Sequence, residues 1–245
     1  MSFGPARRLD RVLCRVIRAK AARIATPGGI VSFSFDDFPK SALAVGGGIL
    51  EQYRVRGTYY VAFGLAGGDG SSGRMFDPED LQAAMQRGHE LGCHSYSHLD
   101  CGRAGGRAAL ADVGRNSVAF ARMVEGFAPR HFAFPFGSVS LAAKRALAPH
   151  FASCRGTRPG LNRGLADLGE LRANSIYDGR FDLDAARRLI DEARREAGWV
   201  IFYTHDVASD PSPFGCTPGQ LEAVVAYACA QATVLPVGDA LRAAR

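Results

Sequence analysis

Alternating strand-like and helix-like patterns predict an α/β fold built on a mainly parallel sheet, open or closed into a barrel. Three observations carry this expectation. Runs of β-branched and aromatic residues recur between segments whose apolar residues keep helical spacing. The first such run, Val31-Ser32-Phe33-Ser34-Phe35, ends in two adjacent carboxylates, Asp36 and Asp37. His94 and His205 also follow strand-like runs, and α/β folds place their sites at the carboxyl ends of strands.

With 245 residues, 47% of them hydrophobic, and no linker-like division, the chain is expected to hold one domain over residues 30–245. Residues 1–29 read as a basic amphipathic helix and a linker. Leu9, Val12, Leu13, Val16 and Ile17 recur at helical spacing among Arg7, Arg8, Arg11, Arg15, Arg18, Lys20 and Arg23, opposed only by Asp10. This segment accounts for the formal net charge of +6 and leaves the remainder near neutral, which argues against a nucleic-acid-binding face. Such a helix either packs its stripe on the domain or makes peripheral contact with an anionic membrane. Its arginines interrupt any secretory apolar core, and no run approaches a membrane span. Six cysteines without close pairing read as reduced, mostly buried thiols, Cys93 and Cys101 included, so a cytoplasmic protein is expected.

In order, Thr26-Pro27-Gly28-Gly29 breaks the chain before the first strand. Residues 41–54 read as a helix despite Gly46-Gly47-Gly48, and Thr58-Tyr59-Tyr60-Val61-Ala62-Phe63 as a second strand. A glycine-rich loop covers 64–73. Asp77 caps a helix opened by Pro78, Glu79 and Asp80, after which Glu90-Leu91-Gly92-Cys93 is extended and delivers His94. Residues 108–124 are helical by spacing, His131-Phe132-Ala133-Phe134 is a strand ending in the turn Pro135-Phe136-Gly137, and 141–147 is a helix. Strands are expected around Ala152-Ser153-Cys154 and over 171–176. Asp182 caps a helix over 183–196, and Trp199-Val200-Ile201-Phe202-Tyr203-Thr204 is a strand ending in His205-Asp206. Thr217 and Gln220 form a capping box for a helix to about residue 230, followed by a strand over 234–237 and a terminal helix.

Adjacent carboxylates at a strand end form either a polar turn or a site, since two like charges repel unless a cation or a proton-transfer task compensates them. His94 and His98, at i and i+4, share a face if the backbone there is helical, and a metal centre is the natural link between the two pairs.

Four separated pieces resemble motifs of the polysaccharide deacetylases with a NodB homology domain, carbohydrate esterase family 4. They are Ser34-Phe35-Asp36-Asp37; Gly88-His89-Glu90-Leu91-Gly92-Cys93-His94-Ser95-Tyr96-Ser97-His98; Phe132-Ala133-Phe134-Pro135-Phe136-Gly137, of the FA[YF]P[YF]G form; and Phe202-Tyr203-Thr204-His205-Asp206. The resemblance implies a distorted (β/α) barrel of seven strands and a metal-dependent hydrolase removing N-acetyl groups from amino sugars. It makes Asp37, His94 and His98 the ligands of a divalent metal, zinc by first choice, Asp36 the general base, the Phe136 N–H an oxyanion donor and His205 the acid. Asp178 is the candidate carboxylate supporting His205. Phe38 stands where the family has glycine. The family's third-motif arginine is replaced by Ala133 or Phe134, with Arg172 the candidate substitute. His89, His131 and His150 are expected to be structural or exposed. A cytoplasmic compartment implies a nucleotide- or lipid-linked precursor in surface polysaccharide biosynthesis. The alternatives are another amide such as a formamide, and a catalytically silent barrel binding a glycan or a protein partner.

Overall fold

A computed structural model describes residues 5–124 and 126–244, with side-chain surroundings from Asp10 onward except at Arg11. The expected stripe residue Leu9 and the cations Arg7, Arg8 and Arg11 lie outside the described side chains. The chain opens with α1 (Pro5–Val16) and β1 (Ala21–Ile24), a strand within the stretch expected as linker. Then come β2 (Ile30–Phe35), a π-helical stretch over Ala42–Gly47 continuing as α2 (Gly48–Gln52), β3 (Thr58–Val61), the hairpin of β4 (Asp69–Gly70) and β5 (Gly73–Arg74), α3 (Pro78–Gln86) and β6 (Glu90–Cys93). The second half holds α4 (Cys101–Met123), β7 (His131–Ala133), α5 (Leu141–Leu147), β8 (Ser153–Arg155), β9 (Gly164–Asp167), β10 (Asn174–Ser175), α6 (Leu183–Arg195), β11 (Trp199–Thr204), α7 (Pro218–Gln231), β12 (Thr233–Val234) and α8 (Val237–Ala243). No helix among the described residues is long and apolar enough to cross a membrane.

Seven parallel strands run in the order β10-β11-β2-β3-β6-β7-β8, a distorted (β/α)7 barrel. The distortion has two local sources. On one side of β2, β12 pairs with Ile30 and Val31 while β3 pairs only with Ser34 and Phe35, so the neighbours splay apart. At the open side one segment serves both edges: Leu171 exchanges hydrogen bonds with Cys154 and Gly156 beside β8, and three residues later β10 pairs with β11. The strand expected over 171–176 is therefore short because its ends belong to different neighbours.

All six residues of β2 are buried, since helices or strands cover both faces. Its two polar side chains are satisfied. Ser32 Oγ donates to the Leu235 carbonyl (2.7 Å) and accepts from Trp199 Nε1 (2.9 Å), and Ser34 Oγ donates to the Phe202 carbonyl (3.1 Å). Gly46 explains why the glycine-rich helix works: a Cβ there would meet the Phe35 ring at 2.8 Å, so only glycine lets it press onto the sheet. Helix α4 starts seven residues before the expected 108, capped by Asp100, whose carboxylate accepts from Arg103 N at 3.0 Å. The early turn is set off by Gly105 at φ 80°.

Helix α1 is anchored by a buried lysine. Lys144 of α5 donates to the Cys14 carbonyl and pairs with Asp167 (2.9 Å) and Glu170 (3.2 Å). Cys14 is buried against α5, whereas Val12 and Val16 face solvent, so only part of the expected stripe is covered.

Candidate active site

Parallel strands bring the predicted residues to one end of the barrel. Asp36 and Asp37 follow β2, His94 follows β6, Phe136 follows β7 and His205 follows β11, and all line one cavity of about 290 Å³. Asp36 N donates to the Thr204 carbonyl at 2.9 Å, which fixes the β2 end against β11. The Asp36 carboxylate meets the guanidinium of Arg155, the last residue of β8, and both side chains are almost fully buried. The Arg155 guanidinium lies 4.9 Å from the ring centroids of both Tyr60 and Tyr203, and its Nη1 donates to the Gly156 carbonyl at 3.1 Å. Burial by itself raises the Asp36 carboxyl. The Arg155 charge, with smaller help from His94 and His205, outweighs it and holds Asp36 below the usual carboxylate range.

This arrangement corrects the expectation for Arg172. Its guanidinium donates to the Pro159 carbonyl at 2.8 Å in a surface loop, and it is not the partner of Asp36. The strand expected around Ala152-Ser153-Cys154 runs over Ser153–Arg155, one residue further. The same rule that marked Asp36 and His205, chemistry at a strand's carboxyl end, would have marked Arg155.

Asp37, His94 and His98 face one another. His94 Nε2 and His98 Nε2 lie 3.5 and 3.1 Å from Asp37 Oδ1, and the imidazole centroids are 5.0 Å apart. The i, i+4 histidines do not share a helix. Their segment is a bend with Ser95 at φ 60° and His98 at φ 52°, held from α4 by the buried Asp112, which accepts from Tyr96 N, Ser97 N and Ser97 Oγ, each at 2.9 Å. Asp112 was missed because an acid inside a helical pattern reads as surface.

His94 Nδ1 lies 2.8 Å from the Ala133 carbonyl, which assigns the proton to Nδ1 and turns the Nε2 lone pair toward Asp37. Burial pushes the His94 imidazole down to about 3 and lowers His98 as well, so both are neutral. Burial pushes Asp37 up to about 6, with His205 opposing and Asp36 reinforcing. Asp37 Oδ1 is buried, and although His98 Nε2 is near, no hydrogen bond of acceptable geometry reaches it. Two imidazole nitrogens converging on an unsatisfied carboxylate oxygen make three donors that fit a divalent cation.

His205 Nε2 points into the cavity, 3.9 Å from Asp37 Oδ2, while its Nδ1 lies 3.1 Å from the Phe214 carbonyl. Asp178 is not brought to it. That carboxylate accepts from Gln220 Nε2 at 2.8 Å, so the support expected from Asp178 is supplied by a backbone carbonyl. Phe136, at φ 58°, is largely exposed and sets its ring against His98 at 4.3 Å. Of the remaining histidines, His89 bonds Glu51 (2.9 Å) and the Gly57 N–H (3.1 Å), His131 bonds Ser153 Oγ (2.8 Å), and His150 is exposed.

The family profile described as "Polysaccharide deacetylase" matches residues 23–150, more than half the chain. The chain belongs to the polysaccharide deacetylase family. The match contains Asp36, Asp37, His94, His98 and Phe136, while Arg155 and His205 lie beyond it. Solved structures at low identity show the same fold. The chitin deacetylase of the fungal pathogen Colletotrichum lindemuthianum is 18% identical, with TM-score 0.60 over 91% of this chain and 92% of that one. A family 4 acetyl xylan esterase from Clostridium thermocellum, solved with a cobalt ion, is 18% identical with TM-score 0.61 over 87% and 90%. A family 4 carbohydrate esterase from Streptomyces lividans, solved with acetate, is 18% identical with TM-score 0.54 over 85% and 98%. No curated protein sequence matches significantly.

Family membership supports carbohydrate deacetylation, and packing accounts for one departure from the family's pattern, Phe38 in place of glycine. Phe38 adopts φ 61°, a left-handed conformation that glycine takes without cost and that costs another residue about 1–2 kcal/mol. Its ring is fully buried against Tyr59 and Phe76, at centroid distances of 4.8 and 5.4 Å. Burying a phenylalanine is worth about 1.5–3 kcal/mol, enough to offset the strain.

Proposed function

We propose that the chain is a metal-dependent carbohydrate N-deacetylase that removes the N-acetyl group from an amino-sugar-containing precursor in surface polysaccharide biosynthesis. The observation that carries this reading is the convergence in one cavity of the Asp37, His94 and His98 donors with an Asp36 held ionised by Arg155. The three donors would hold the cation, zinc by first choice, and leave coordination positions open. When bound, the cation supplies Lewis-acid activation of water and of the amide carbonyl.

The other roles fall to the chain's own groups. Asp36 accepts the proton of the attacking water as its oxygen bonds to the acetyl carbon. Gly137 N and Ser138 N already donate to the Phe134 and Pro135 carbonyls, at 3.0 Å each, which leaves the oxyanion role to the Phe136 N–H. His205, oriented by the Phe214 carbonyl, delivers a proton to the nitrogen as the C–N bond breaks, and acetate and a free amine leave.

All six cysteines are free and five are buried, which suits a reducing compartment, so the proposed location is the cytoplasm and the proposed substrate a nucleotide- or lipid-linked sugar. The domain division proposed is a basic amphipathic helix and linker over 1–29, the linker holding β1, and the barrel over 30–245. Peripheral contact of α1 with the inner membrane face is tested by flotation with anionic liposomes: removing residues 1–25 should abolish it, and no binding by the intact chain sinks the idea. The reaction itself is tested by product analysis on N-acetylated and N-formylated sugars, with and without a chelator. Chelator-sensitive acetate release is expected. Formate release alone would move the substrate to a formamide, and no release from any amide would favour the silent barrel.

A further inference from the structure

Next to the catalytic cavity the chain builds a second and a third, and they are contiguous. Gly137 and Thr157 line both the catalytic cavity and a neighbour of about 270 Å³, which Arg15 and Arg158 also line. Those two arginines also line the next cavity, of about 360 Å³, together with Arg18 and Arg172. Thr157 and Arg158 are consecutive, so the cationic wall begins one residue, about 3.8 Å of backbone, from the catalytic cavity.

The charges along this groove are not balanced. Of its acids, Asp167 and Glu170 are taken by the buried Lys144, and Arg163 on the same wall is taken by Glu196. Glu192 is the remaining acid. Among the described residues no carboxylate lies within ion-pair distance of Arg15, Arg18, Arg158 or Arg172. Arg158 is half-buried, and its Nε is buried without a hydrogen-bond partner. An unpartnered buried donor is costly unless a ligand supplies the acceptor. Arg172 is held below its ordinary value by burial and by the like charge of Arg158, a repulsion that an anion between them would relieve.

We infer that this groove binds a phosphate or diphosphate group carried directly on the amino sugar, so that the substrate is a glycosyl phosphate or diphosphate and not a neutral glycan. A diphosphate offers several acceptor oxygens to convergent guanidinium forks, which suits four arginines better than a single carboxylate does. Arg15 comes from α1 and Arg18 from the stretch just after it, which gives the basic N-terminal segment a role on the substrate side of the domain. The inference rests on the deacetylase reading for the placement of the sugar but not for the anion site itself.

The test uses the full chain loaded with zinc. Binding of inorganic diphosphate is titrated calorimetrically to the intact chain, to Arg158→Gln and to the exposed pair Arg15→Gln/Arg18→Gln, with thermal melts confirming folding. Deacetylation of N-acetylglucosamine 1-phosphate is compared with that of N-acetylglucosamine. The expected result is diphosphate binding weakened at least ten-fold in each variant, and a KM rise for the phosphorylated sugar at least ten-fold larger than for the neutral one. Competition by uridine diphosphate or by farnesyl diphosphate then separates a nucleotide carrier from a lipid carrier. Diphosphate binding equal in intact chain and variants, or equal turnover of both sugars, overturns the inference. Arginine-dependent binding of anionic vesicles without binding of diphosphate also overturns it and assigns the patch to a membrane. Arginine-dependent diphosphate binding with no deacetylation of any amide keeps the anion site and removes the deacetylase reading.

Discussion

Arg155 meets Asp36, which lines the catalytic cavity, with its guanidinium 4.9 Å from the ring centroids of both Tyr60 and Tyr203. The pair joins two strands, β8 and β2, that are far apart in the sheet order, so the contact crosses the barrel interior. A buried carboxylate stays ionised there because one buried cation answers it.

Replacing Arg155 with methionine should therefore cost both activity and stability. Removing one partner of a buried pair typically costs about 3–5 kcal/mol because the other charge is left uncompensated. Acetate release should fall by about 10²-fold or more, the range of a lost general base. Adding Asp36→Asn to Arg155→Met should lower activity little further, since both changes remove one function. Independent, multiplicative losses in that double-mutant cycle would contradict the pairing.

His205→Asn should lower kcat by about 10²–10⁴-fold if the imidazole protonates the leaving amine. Asp178→Asn should have an effect at least ten-fold smaller, because Asp178 is bonded to Gln220 and not to His205. Equal losses in the two variants would restore the acid originally expected.

Asp112 holds the bend that presents His98, through three hydrogen bonds. Groups that orient metal ligands typically change affinity by about 10–100-fold. Asp112→Ala should weaken zinc binding by that factor in a chelator competition while the far-ultraviolet circular dichroism keeps its barrel signature. Unchanged affinity would remove Asp112 from the site.

The Lys144 cluster gives a pH-dependent stability. Burial alone raises the Asp167 carboxyl, but its bond to Lys144 and those from the Lys20 and Gly169 N–H groups outweigh this and hold it low. A carboxyl lower in the folded than in the unfolded chain contributes stability above its unfolded value of about 3.9 and loses it as pH falls through the folded value. Asp167→Asn should thus be clearly less stable than the intact chain at pH 7 in urea unfolding, and the gap should narrow below pH ~4. A gap independent of pH would contradict the ion pair.

Much of the fold and most of the site could be read from the residues. Strands ending in Asp36-Asp37, His94, Pro135-Phe136 and His205 are local patterns, and a parallel sheet necessarily gathers their ends. What could not be read are the relations between distant residues. Arg155 reaches Asp36 across 119 positions, Lys144 reaches Cys14 across 130, and nothing local marks either pairing. Asp178 failed for the same reason, since sequence distance to His205 said nothing of the Phe214 carbonyl lying closer. Spacing of i, i+4 left the backbone at 94–98 open, because a helix and a turn through two left-handed residues both bring the imidazoles together.

The most direct test of the central claim measures, on one preparation each, the divalent metal bound per chain and the acetate released by the intact protein and by Asp36→Asn. The account predicts the same metal content in both and acetate release only from the intact protein. Acetate release by Asp36→Asn at the intact protein's rate would contradict it.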